Sequence, residues 1–159
     1  MSDGVRLALL LLAAFESMVD EVVDDLARQG HPGVTANLEF ALGAIGDGAD
    51  SAAELGRRLD ITRQAAAKTI AALEDHGYVE RVDDPADARR KRLRVTPRGE
   101  DMTAKGAAVF DRLRTRWAQE LRPGQAEAVE DALTRLVAAD SPWPDRPAPA
   151  PGPGRPAIS

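Results

Sequence analysis

Two helix starts in close succession constrain this chain more than any other feature. Ser51-Ala52-Ala53-Glu54 has the form of a capping box: the serine oxygen accepts an amide of the first turn, and the glutamate reaches back to the serine amide. Leu55 and Leu59 then face inward at helical spacing, and after Asp60-Ile61 the chain offers a second N-cap at Thr62. The run Arg63 to His76 comes next and is closed by the stop signal Gly77. Two short helices joined by so tight a turn form a helix-turn-helix. On the second helix Ala66, Ile70 and Leu73 share one face. Arg63, Gln64, Ala67 and Lys68 share the other, towards the N-terminal end, where the helix dipole favours phosphate. Arginine and glutamine have bidentate geometry for guanine and adenine edges, and small alanines between them let a helix sit deep in a groove. Taken alone, the pattern reads equally well as an ordinary solvated amphipathic helix.

The segment after Gly77 separates the two readings. Tyr78-Val79-Glu80-Arg81-Val82 alternates as a strand, and Arg92-Leu93-Arg94-Val95-Thr96 alternates as its partner. Asp84 to Lys91 is expected to be the loop between them, with Arg89, Arg90 and Lys91 at its tip. A helix-turn-helix followed by a hairpin with a cationic tip is a winged helix. Such a tip can cross a phosphate backbone and place arginine in the neighbouring minor groove. Asp87 stands two positions before Arg89, where it is expected to pair with that guanidinium and hold it in one orientation.

The segment Ala72-Leu73-Glu74-Asp75-His76-Gly77-Tyr78-Val79-Glu80-Arg81, the wing Asp84-Pro85-x-Asp87-x-Arg89 and the closing Leu93-Arg94-Val95-Thr96-Pro97-x-Gly99 resemble the MarR family of bacterial transcriptional regulators. The resemblance is specific over about residues 50–100 and agrees in helix order over about residues 5–138. It implies a homodimeric winged-helix binder of pseudo-palindromic operator DNA, commonly a repressor released by a small-molecule effector. By position it implies that Arg63, Gln64 and Lys68 serve the major groove, that Arg89 serves the minor groove and that Asp87 orients Arg89. Where many members carry several Ser or Thr at the front of the recognition helix, this chain has Ala65, Ala66 and Ala67, so base preference does not carry over. The DNA-contacting set is expected to be Ser51, Thr62, Arg63, Gln64, Ala67, Lys68, Asp87, Arg89, Arg90 and Lys91.

The flanking segments suit a two-fold partner, which half-sites about one helical turn apart require. Leu7, Leu11, Ala14, Met18, Val22 and Leu26 recur at steps of three and four, the pattern of one long helix with an acidic opposite face. Gly30-His31-Pro32-Gly33 ends it, and Thr35 caps a second helix that runs to Gly46. From about Gly99 a helix presents Met102, Val109, Phe110, Leu113, Trp117 and Leu121. After Pro123-Gly124, residues Ala126, Val129, Leu133, Leu136 and Val137 continue a stripe. These apolar positions exceed what a wing domain needs for its own core. Leu7, Leu11, Met18, Phe110, Leu113, Trp117, Leu133 and Leu136 are therefore assigned to an intersubunit bundle; the alternative is a monomer whose terminal helices fold back on it. The expected organisation is a dimerisation helix over 1–30, a winged helix-turn-helix lobe over 34–98, dimerisation helices over 99–139 and a disordered proline-rich tail over 140–159. The fold class is mainly α with a small β wing. An effector pocket would lie near the first, second and fifth helices, but no residue there declares a chemical class.

Composition removes most rival functions. The 159 residues, 43% of them hydrophobic, suffice for one domain with a core. Zero cysteines exclude disulfides, thiolate metal sites and thiol chemistry. Two histidines and 4% aromatic residues argue against a histidine-rich metal site and against a stacking face for single strands. No cofactor is implied, and no nucleophile and base stand at motif spacing, so an enzyme is disfavoured. A winged-helix protein-interaction module without DNA binding is the remaining alternative, and Arg63, Lys68 and Arg89 weigh against it. The net charge of −5 conceals an uneven distribution: −8 over residues 1–56, +4 over 57–98 and −1 over 99–159. Residues 7–15 form an apolar run too short for a membrane span, with no basic leader before it. A cytoplasmic protein without membrane contact is the expectation.

Overall fold

The computed structural model describes residues 2–139, which fall into two units divided after Glu120. The expected tail over 140–159 lies outside the described residues. The first unit runs α1 (Asp3–Arg28), α2 (Ala36–Gly46), α3 (Ala52–Leu59), α4 (Arg63–Asp75), β1 (Val79–Asp84), β2 (Asp87–Val95) and α5 (Pro97–Gln119). The second contains α6 (Gln125–Ala139), with Leu136 and Val137 exposed. No described helix is long and apolar enough to cross a membrane.

The helices begin where the sequence places hydroxyl caps. Side-chain oxygens of Ser2, Thr35, Ser51, Thr62 and Thr96 each accept an amide of the following first turn, satisfying a donor with no partner inside the helix. One detail differs from the capping-box expectation: the Glu54 carboxylate turns along its own helix to Arg57 and Arg58. Arginines three and four residues on offer a charged partner to a group at the solvent edge.

The turn between α3 and α4 is tight for a steric reason. Asp60 takes a left-handed conformation with φ of 52°, and the Ile61 amide donates to the Gly56 oxygen at 3.0 Å. A Cβ on Gly56 would stand 2.9 Å from the Ile61 oxygen, so this close return needs glycine.

The core gathers Val22 and Leu26 of α1, Leu38, Ala41, Leu42 and Ile45 of α2, Leu55, Ala66, Ile70 and Leu73 of the helix-turn-helix, Tyr78, Val79 and Leu93 of the hairpin, and Met102, Val109 and Leu113 of α5. Only the C-terminal half of α1 takes part; Val5, Leu7, Leu9, Leu10, Leu12 and Phe15 are exposed. The hairpin pairs Val79 with Val95 through to Asp83 with Lys91, and the next partners are Asp84 and Asp87. Residues 88–90 therefore bulge from β2. The expected loop from Asp84 to Lys91 is mostly strand, because β2 already begins at Asp87. The Leu93 amide donates to the Asp50 oxygen at 3.1 Å, which anchors the wing beside the start of α3.

Candidate nucleic-acid interface

The recognition helix α4 divides its faces as its sequence dictates. Ala66, Ile70 and Leu73 are buried, while Arg63, Gln64, Ala67 and Lys68 are exposed. Arg63 and Lys68 make no ion pair within the described residues, so their charges stand available at the helix N-terminal end. The Ser51 and Thr62 oxygens are occupied as caps, accepting from the Glu54 amide at 3.3 Å and the Ala65 amide at 3.1 Å.

The basic cluster of the hairpin separates into two groups. Lys91 pairs with Asp83, Arg94 donates to Glu80 at 2.8 Å, and Arg81 donates to Glu74 of α4 at 2.8 Å. Arg89, Arg90 and Arg92 are exposed and make no ion pair among the described residues. Two of these three, Arg89 and Arg90, sit in the bulge near the tip. Arg98 belongs to neither group: its guanidinium donates to the main-chain oxygens of His76 at 3.1 Å and Gly30 at 3.0 Å. Asp87 acts on Arg89 differently from the expected ion pair. Its Oδ1 accepts the Arg89 main-chain amide at 3.0 Å, a local turn that shapes the backbone of the bulge.

Of the residues assigned to an intersubunit bundle, Leu7, Met18, Trp117 and Leu136 are exposed. Leu11, Phe110 and Leu133 are half-buried. Leu113, at 7% exposure, belongs to the core of its own chain. Phe15 of α1 and Phe40 of α2 are both exposed and stack with ring centroids 6.3 Å apart. An open cleft of about 680 Å³ lies between α2, β2 and α5, lined by Leu42, Ile45, Arg92, Val95, Ala104 and Ala107 among others. The helices expected to frame a pocket were the first, second and fifth; the wing takes the place of the first in this cleft.

Sequence reasoning missed a buried polar cluster. His31, 1% exposed, has Nδ1 3.2 Å from the Tyr78 hydroxyl and Nε2 2.8 Å from Oδ2 of Asp101. Lys105 and then His31 hold the Asp101 carboxyl below the usual carboxylate range, whereas burial raises the Tyr78 hydroxyl against the opposing Arg98 charge. In the sequence His31 stands in a Gly/Pro connector with no local partner, since its two partners are 47 and 70 residues away. Glu39 carries no signal in the sequence either. Its carboxyl, turned towards Gly106 of α5, is raised by burial.

Residues 40–90 match the family model described as MarR family. An HTH-type transcriptional regulator of Clostridioides difficile, BilQ, is 29% identical over 59 residues, which cover 37% of this chain. That stretch spans 40% of the relative's own length. Among solved structures, a MarR family transcription regulator is 24% identical, with 86% of this chain and 92% of that one aligned at a TM-score of 0.66. Streptococcus pneumoniae FabT in complex with DNA is 18% identical, with 86% and 96% aligned at a TM-score of 0.69.

Proposed function

We propose that this chain, whose residues 40–90 match the MarR family model, is a regulator of that kind: a sequence-specific transcription factor that binds double-stranded operator DNA as a homodimer. The curated relative that it matches is a transcriptional regulator, which supports a regulator rather than an enzyme. The observation that carries the reading is the exposed recognition face of Arg63, Gln64 and Lys68 beside the wing arginines Arg89, Arg90 and Arg92, all of them without ion pairs among the described residues. The first face offers bidentate side chains to base edges in a major groove; the wing brings guanidinium groups to phosphates and the adjoining minor groove. The fold neighbour FabT is seen with DNA, which supports the same partner for this chain.

The lobe over residues 34–98 carries this interface, and the segments 1–30 and 99–139 supply the dimer contacts. The exposed apolar half of α1 supports that assignment, because isolated solvent exposure of so many large side chains is unfavourable. Leu7, Leu11, Met18, Phe110, Trp117, Leu133 and Leu136 form the proposed contact set. Repression released by a small-molecule effector accords with the family pattern.

The test is a gel shift on the region upstream of the protein's own gene, with and without random competitor DNA. Binding that survives competitor and weakens at least tenfold between about 50 and 200 mM salt supports the reading, since clustered cations release counterions from several phosphates. No shift, or a flat salt profile, leaves a winged-helix protein-interaction module in its place.

A further inference from the structure

Four segments of the chain converge on Tyr78, which is fully buried at the foot of β1. A carboxylate only accepts, so Nε2 of His31 carries the proton and donates to Asp101 at 2.8 Å. In the neutral imidazole Nδ1 is then the acceptor, and the Tyr78 hydroxyl donates to it at 3.2 Å. Lys105 donates to the same Asp101 oxygen at 2.6 Å. On another side the Arg98 guanidinium stands 5.3 Å from the Tyr78 ring centroid, and the His76 ring stacks on Tyr78 at 5.4 Å. The two main-chain oxygens that Arg98 holds belong to His76, the C-cap of the recognition helix, and Gly30, just beyond the end of α1. Thr96, one step before α5, donates to the Gly77 oxygen at 2.6 Å.

These bonds form one joint. Arg98 ties the C-cap of the recognition helix to the residue just beyond the cap of α1, and His31 ties the connector after α1, through Tyr78, to the base of the wing. Resting on the DNA-binding reading above, we propose that Arg98 and His31 are positioning residues for operator recognition, fixing the angle of recognition helix and wing against α1 and α5 without touching DNA. The planar fork of arginine suits this role, because two of its N–H groups reach two separate carbonyls at once; an ammonium is a point charge.

A positioning residue leaves a different mark from a phosphate contact. Base-edge hydrogen bonds need the helix within a fraction of an ångström, while random-sequence binding depends on charge and tolerates a change of angle. Arg98→Lys keeps the charge and removes the fork. It is expected to weaken operator binding about tenfold, with random-DNA affinity and the salt slope unchanged. Arg98→Gln is expected to match it. Tyr78→Phe, which leaves the ring under Arg98 and removes only the hydroxyl that meets His31, is expected to lower the operator-to-random ratio several-fold. Without DNA, amide hydrogen exchange in residues 28–33 and 72–80 should quicken in all three variants while α3 stays unchanged.

Full operator affinity in Arg98→Lys, together with equal losses on operator and random DNA and a salt slope lower by about one in Arg98→Gln, would make Arg98 a phosphate contact and overturn the inference. Unchanged exchange in the two segments overturns it as well, independently of DNA. If the wild-type protein itself selects no operator, the DNA-binding reading fails and the inference falls with it; that failure is seen in the wild type, before any variant is compared.

Discussion

The first turn of α5 lies against the foot of the hairpin so closely that a Cβ on Gly99 would run into the main-chain oxygen of Tyr78 and stand 2.8 Å from Cγ1 of Val95. Both obstacles belong to the hairpin foot, where the Thr96 amide donates back to that same Tyr78 oxygen at 2.9 Å. The backbone there cannot give way without breaking the bond that closes the wing. Gly99→Ala is therefore expected to destabilise the fold by about 1–3 kcal/mol, the usual cost of overpacking. Gly4→Ala is the control, since nothing lies within 4 Å of its Cβ position in the first turn of α1. Urea unfolding of both variants checks this; equal midpoints would show that α5 can shift to make room.

Arg63 and Gln64 head the recognition helix with their side chains exposed and, among the described residues, without ion-pair partners. Replacing either by Ala is expected to cost roughly 1–3 kcal/mol on operator DNA and to relax base preference at particular positions. Binding to a panel of single-base operator variants measures it. Equal losses on operator and random DNA would mean that these side chains touch phosphate alone.

Local features of this fold were legible in the sequence and distant pairings were not. The caps at Thr35, Ser51 and Thr62 could be read because each hydroxyl bonds an amide three residues on. The inward face of α4 could be read because Ala66, Ile70 and Leu73 keep to the helical repeat. The net positive charge over residues 57–98 overstates the cations free for a partner. Arg94 is neutralised by Glu80, 14 residues earlier, and Arg98 is engaged by the Gly30 oxygen, 68 residues earlier. Nothing in the run from Arg89 to Arg98 itself marks which cations are already occupied. His31 was opaque for the same reason, its partners being supplied only when α5 and the wing close around it. The start of β2 was missed because residues 88–90 bulge, which breaks the alternation that identifies a strand.

Glu39 gives a stability prediction with a defined sign. Burial raises its carboxyl above the usual range, so the folded protein holds the Glu39 proton more tightly than the unfolded chain does. As pH rises through the window between the ordinary and the raised value, the folded state loses stability through this group, and the loss persists at neutral pH. Glu39→Gln is therefore expected to raise stability at pH 7 by up to about 1 kcal/mol and to lose that advantage in acid, where the wild-type carboxyl is itself neutral. Glu21, Asp25, Glu54 and Asp101 are all shifted downward by basic partners, and they make the protein as a whole weaken on acidification. The informative quantity is thus the difference between variant and wild type at each pH, from urea unfolding. A variant no more stable than wild type at pH 7 would show that the carboxylate is adequately solvated.

Asp87 is the anion whose place in a basic wing calls for a reason, and its bond to the Arg89 amide at 3.0 Å supplies one. If Asp87 contributed charge alone, Asp87→Ala would strengthen DNA binding by removing repulsion from phosphates. The bond instead holds the main chain of the bulge from which the Arg89 side chain projects. Without it the segment must be ordered on binding, at a cost of about 1–2 kcal/mol for each residue fixed. Asp87→Ala is accordingly expected to weaken operator binding although it makes the protein more positive, and Asp87→Asn, which keeps an acceptor oxygen, to preserve most of it. Once Arg89→Ala is present, loss of Asp87 should have little further effect on affinity, because the side chain it serves is gone. A double-mutant cycle on operator DNA reads this coupling directly. Tighter binding by Asp87→Ala, or full additivity with Arg89→Ala, would show that the turn does not present Arg89 to the DNA.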